Sequence, residues 1–193
     1  TGVLVNPGAW KTVRKKAALQ GISCFFSWFG VDMERAGTED KKRPGSAASD
    51  SLSKNLSVPF RGHISGGLRP GKRLQLVGMI DPKPDRFYVA LTCGIGSERP
   101  PEDVAIELCV RFKDRQVQRR ACVGGVWGSS QSDAPFFPFI RGQPFRLEIH
   151  CEQSRLRFFV DGEKLFDFSH KITCLNQIDT LWVRGSVALT KLA

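Results

Sequence analysis

The chain has 193 residues, 41% apolar and 25% charged, with a formal charge of +10. That length is enough for one domain with a sizeable core, and the composition is that of an ordinary soluble protein. The longest apolar run, Gly21 to Val31, is too short and too broken by Ser and Gly to span a bilayer.

Residues 1–57 do not read as a domain. Arg14, Lys15 and Lys16 precede the apolar run, as in a signal peptide, but Gln20, Ser23 and Ser27 interrupt it. No small-residue cleavage site follows before the charged MERAGTEDKK, so a signal peptide is not expected. The stretch KKRPGSAASDSLSKNLS is rich in Ser, Lys, Gly and Pro and is expected to be a disordered basic tail. The change of character at Met33 makes it the expected start of the native protein, with residues 1–32 upstream of it. Residues 1–57 and 58–193 carry excess charges of +4 and +6, so both parts are basic.

From Val58 onward the pattern is all β. Alternating or β-branched runs cover 58–64, 72–80, 86–93, 103–112, 115–122, 145–152, 155–162, 163–170, 179–185 and 186–192. GGLRPGK and DPKPD supply turns, and Asp161-Gly162 is a hairpin signal because both residues tolerate positive φ. Trp127 falls between strands, on a Gly-flanked bend. About ten short strands in roughly 135 residues imply a two-sheet antiparallel sandwich or a barrel. Alternation places Phe145, Leu147, Ile149 and Cys151 on one face, and Leu156, Phe158 and Val160 inward on the next strand.

The six cysteines form no CxxC pair and match no zinc framework. Free thiols, several buried in strands, are the simplest account, which fits a reducing compartment. No nucleophile motif, phosphate loop or metal-ligand cluster is present, so neither an enzyme nor a cofactor site is expected. His150 and His170 read as surface strand residues.

The blocks GGLRPGKRLQLVG, DVAIELCVRF, VQRRACVGGVWG, FFPFIRGQPFRLEI, RLRFFVDGEKLFDFSHKI and WVRGSVALTKL, taken in order, resemble the galectin family over roughly 58–192. The likeness is greatest to the galectin-related proteins, whose sugar groove is degenerate. It implies a galectin-type, jelly-roll β-sandwich over 58–193, acting as a non-enzymatic carbohydrate-binding module. In a typical galectin one strand reads H-x-N-P-R, the next ends V-x-N, and the following bend reads W-G-x-E-x-R. These residues read sugar hydroxyls and stack an aromatic ring on the sugar's apolar face.

Carried onto this chain, histidine becomes Glu107, the first asparagine Cys109 and the second Arg120, while the glutamate and final arginine become Ser130 and Ser132. Only Arg111 and Trp127 survive of the seven. β-Galactoside binding is therefore expected to be weak or lost, with Arg120 pairing to Glu107 across the hairpin. Trp127 could instead only cover the sandwich edge, and Arg111 could be held by Asp103 or another acid. Three partner readings stay open: a protein partner, an altered glycan recognised through Arg111, Arg119 and Arg120, or a polyanion, with nucleic acid the less favoured. The resemblance also implies a cytoplasmic or nuclear pool, or export without a signal peptide, and a monomer or weak homodimer.

Overall fold

The structure is a computed structural model that describes residues 56–94 and 103–193. The tail expected over 1–57, up to residue 55, and the start at Met33 lie outside those residues. The described chain runs as β1 (Phe60–His63), β2 (Arg73–Ile80), β3 (Arg86–Cys93), β4 (Val104–Arg111), β5 (Gln116–Val123), β6 (Val126–Trp127), β7 (Pro144–Cys151), β8 (Arg155–Val160), β9 (Glu163–Ser169), β10 (Ile178–Gly185) and β11 (Val187–Leu192). All ten expected strands are present.

Two differences are local. Trp127 is not on a free bend: with Val126 it forms a two-residue strand that pairs with Cys122 and Val123. A 3₁₀ turn over Leu175–Gln177 precedes β10. Both are too short to carry a readable period.

The strands form two antiparallel sheets, β1-β10-β3-β4-β5-β6 and β11-β2-β7-β8-β9. Leu56 bridges to Leu189, extending the second sheet's outer edge. Alternation fills the space between the sheets. Phe145, Leu147, Ile149, Cys151, Leu156, Phe158 and Val160 are all buried, as their spacing predicts. Each such side chain contributes about 1.5–3 kcal/mol by leaving water. The β8–β9 hairpin turns on Asp161 (φ 52°) and Gly162 (φ 87°), the left-handed pair its sequence demands. The Asp161 carboxylate accepts the Arg146 backbone N–H at 2.9 Å.

Between β6 and β7, Pro135 and Pro138 keep the chain out of the ladders while its phenylalanines turn inward. Phe139 meets Phe87 edge-on at 5.1 Å, and Phe137 meets Phe112 edge-on at 5.5 Å. This ring cluster packs the loop against β3 and the β4–β5 turn, which fixes the end of the hairpin that carries the site.

Candidate functional site

The register of β3, β4 and β5 lays three cross-strand rows over the outer face of the six-stranded sheet. They are Arg86–Arg111–Gln116, Tyr88–Cys109–Gln118 and Ala90–Glu107–Arg120. Alternation turns the intervening Phe87, Val89, Leu108, Val110 and Val117 into the core, where each is at most 2% exposed. Apart from Gln116 and Ala90, the row residues join Ser130 in lining a groove of about 180 Å³.

One end of this groove is closed by an ion pair. Glu107 is 3% exposed, and Arg120 stands directly opposite it. Arg120 Nε donates to Glu107 Oε1 at 2.8 Å, and Nη2 lies 2.7 Å from the same oxygen. The guanidinium carbon sits 4.0 Å from the centroid of the Trp127 ring. Arg120 thus balances a buried carboxylate and covers an indole face at once. Trp127 borders a separate cavity of about 480 Å³, with Val126, Phe168 and Lys171 among its walls.

The rest of the groove is neutral in its middle and cationic at its edge. Burial, with Cys109 nearby, raises the Tyr88 phenol above its ordinary pKa, and burial likewise raises the Cys109 thiol. Both keep their protons at neutral pH and can donate hydrogen bonds. Arg86 is held by Asp85 at 2.8 Å, which raises its pKa. Arg184 lies over the Tyr88 ring at 4.5 Å, where burial lowers its pKa. Arg111 is paired, but its partner is Asp114 at 2.9 Å. Asp103 instead accepts the Gly124 backbone N–H at 2.7 Å.

The structure therefore brings Glu107, Cys109, Arg111, Arg120 and Ser130 together in one groove. Ser132 is exposed and does not line it. Between the two serines, Gln131 pairs with the Arg119 backbone through two 2.9 Å hydrogen bonds. Arg119, grouped with Arg120 on sequence as an anion-binding residue, is a correction. It points inward, 4% exposed, with its guanidinium 4.4 Å from the Phe166 centroid and Nη2 donating to Asp133 at 2.7 Å. The inward positions of Val117 and Ala121 on the same strand carry that signal. Arg86, Tyr88 and Gln118 were missed because cross-strand register, and no local motif, places them in the groove.

Among the described residues five cysteines are free, and no three metal-ligating side chains gather. Burial and the Asp103 carboxylate push Cys93 and Cys122 up to about 11, so neither is a ready thiolate. Cys174, by contrast, is exposed. No helix among the described residues is long and apolar enough to cross a membrane.

The model of the galactoside-binding lectin family matches residues 59–193. The chain belongs to the galectin family. It is 31% identical to galectin-4 of Bos taurus and 32% identical to galectin-4 of Homo sapiens, each over 136 residues and 70% of this chain. It spans only 40% and 41% of those relatives' lengths. Among solved structures, galectin LEC-6 of Caenorhabditis elegans superposes with a TM-score of 0.61 at 22% identity, covering 75% of this chain and 99% of that one. Sheep galectin-11, in complex with glycerol, gives 0.60 at 21%, covering 72% and 98%. Those structures share the two-sheet sandwich. The domain is thus of the galectin carbohydrate-recognition type.

Proposed function

We propose that this domain is a galectin whose groove has lost most of its affinity for β-galactosides, as in the galectin-related branch. The observation that carries this reading is the seat of Arg120. A galactoside needs the open face of the tryptophan, and here that face holds a guanidinium. Moving Arg120 away would take from Glu107, 3% exposed, the guanidinium that donates to its Oε1 at 2.8 Å. Losing a hydrogen bond to a charged group costs about 1.5–3 kcal/mol. A 1 mM ligand gains only about 4.1 kcal/mol on binding, so the displacement alone removes much of a modest sugar affinity. The substituted hydroxyl-reading positions Glu107, Cys109, Ser130 and Ser132 remove further partners.

A glycan bearing a sulfate or carboxylate is the second reading, favoured by Arg86 and Arg111 at the groove edge beside the neutral Tyr88, Cys109 and Gln118. Without either, the scaffold serves protein contacts. The free thiols support a reducing compartment, cytoplasmic or nuclear.

Passing the full chain over lactosyl resin tests the first reading. The unaltered protein should flow through. Glu107→His/Cys109→Asn/Arg120→Asn, which restores three family residues and removes the blocking pair, should be retained and released by free lactose. Lactose-releasable retention of the unaltered protein would overturn it. An array of sulfated and sialylated galactosides addresses the second reading in the same preparation.

A further inference from the structure

A different cavity lies at the turn between β4 and β5. It measures about 330 Å³ and is lined by Phe112, Arg115, Phe137, Phe139, Ile140 and Arg141, none of which lines the groove. Its floor is aromatic. Phe112 and Phe139 are each 4% exposed, and Phe137 contacts both edge-on at 5.5 and 5.9 Å. Its lip is Ile140, a branched apolar side chain 65% exposed.

Two exposed arginines flank this apolar floor, and neither has a carboxylate partner among the described residues. Of the nearby acids, Asp114 is paired with Arg111 and Asp85 with Arg86. Arg115 lies with its guanidinium 5.4 Å from the Phe137 centroid and its backbone at φ 51°. Left-handed backbone is uncommon for arginine. The turn nonetheless holds this cation at the mouth of the cavity.

The chemistry selects an occupant. The volume is at the small end of the range for ligand pockets, about 300–1,000 Å³, and suits one large side chain. The only charged side chains in its wall are guanidiniums, which donate and never accept, so it cannot read the mixed donors and acceptors of a sugar. Carboxylates suit planar guanidiniums, and an aromatic anchor in a recessed pocket beside arginines is a recurrent centre of protein interfaces.

We propose that this cavity docks an acidic peptide segment of a partner protein. One aromatic or branched side chain enters between Phe112, Phe137, Phe139 and Ile140, and carboxylates on either side of it pair with Arg115 and Arg141. The site works independently of the sugar groove, so it stands whether or not the groove binds glycans.

The test is amide NMR on the ¹⁵N-labelled full chain, titrated with acetyl-Glu-Glu-Phe-Glu-Glu-amide. Shifts should concentrate on 112–115 and 137–141. The same peptide with Ser for Phe, and Lys-Lys-Phe-Lys-Lys, should each bind at least about tenfold more weakly. Arg115→Gly/Arg141→Ser should weaken the acidic peptide about tenfold, the effect of losing two exposed ion pairs. Glycine is chosen at 115 because it takes φ 51° without strain. If that variant fails to fold, Ile140→Ser at the exposed lip gives the same reading. No shifts at millimolar peptide, shifts centred on the groove residues, or equal binding of the serine peptide would each overturn the proposal. So would stronger shifts at these residues from a sulfated oligosaccharide or an oligonucleotide.

Discussion

Arg115 and Arg120, two of the three arginines of the β4–β5 hairpin that lie over aromatic rings, are built differently. Arg120, over Trp127 at 4.0 Å, is tied to a buried carboxylate. Arg115, over Phe137 at 5.4 Å, has no carboxylate partner among the described residues. The same contact between a cation and a ring closes one place and leaves the other available. What decides is the third group. A charge already balanced inside the fold has little to offer a ligand, whereas an exposed, unbalanced one offers its whole field.

Glu107→Ala puts the greatest load on this contrast. It removes the buried carboxylate that Arg120 donates to, and we expect a loss of about 2 kcal/mol in urea unfolding. A loss below about 1 kcal/mol would show that the pair does not hold the groove shut. Arg115→Gly is the counterpart at the other ring. It gives up a cation–ring contact of about 0.5–1 kcal/mol and relieves a left-handed backbone of about 1–2 kcal/mol. The same unfolding experiment should show little change or a slight gain. A large loss would mean that Arg115, too, is a structural charge.

The smallest effect supplies a partly exposed reference. Asp167 faces Lys164, Arg155 and Arg157 at the sandwich surface, at 2.8–3.3 Å. Burial pushes its carboxyl up, but hydrogen bonding from Lys164 and the nearby arginines outweigh that and hold it below its ordinary value. Its contribution is therefore present above about pH 4 and fades as pH falls through the lower folded value. Asp167→Asn should cost only about 0.5 kcal/mol at pH 7 and flatten the pH dependence of stability below pH 4. An effect as large as that of Glu107→Ala would erase the distinction between a pair built on a buried carboxylate and a partly exposed one.

The strands were legible because the alternation that buries them is written into consecutive residues. Phe145, Leu147, Ile149 and Cys151 need no knowledge of their partners to be assigned inward. The Glu107–Arg120 pair was legible for a related reason, since the strands flanking a short turn face each other in a forced register. Tyr88 and Gln118 were not, because their place beside Cys109 depends on how three strands align. Arg119 was misread through residue type. An arginine is expected in solvent, and here an aromatic ring and one aspartate are enough to hold it within the sandwich.

The adjacent Arg119 and Arg120 have a consequence for folding. A one-residue slip of β5 against β4 would leave an arginine opposite Glu107 but exchange the faces of the whole strand. Val117 and Ala121 would then turn to water, and Arg120 would turn inward. Glu107 alone accepts either arginine, so the ion pair cannot choose the alignment. The choice falls to Trp127, which can meet the guanidinium only on the outer face, and to Phe166, which can meet it only on the inner one. The two rings act together as a gauge that reads which of two identical neighbours lies on which side.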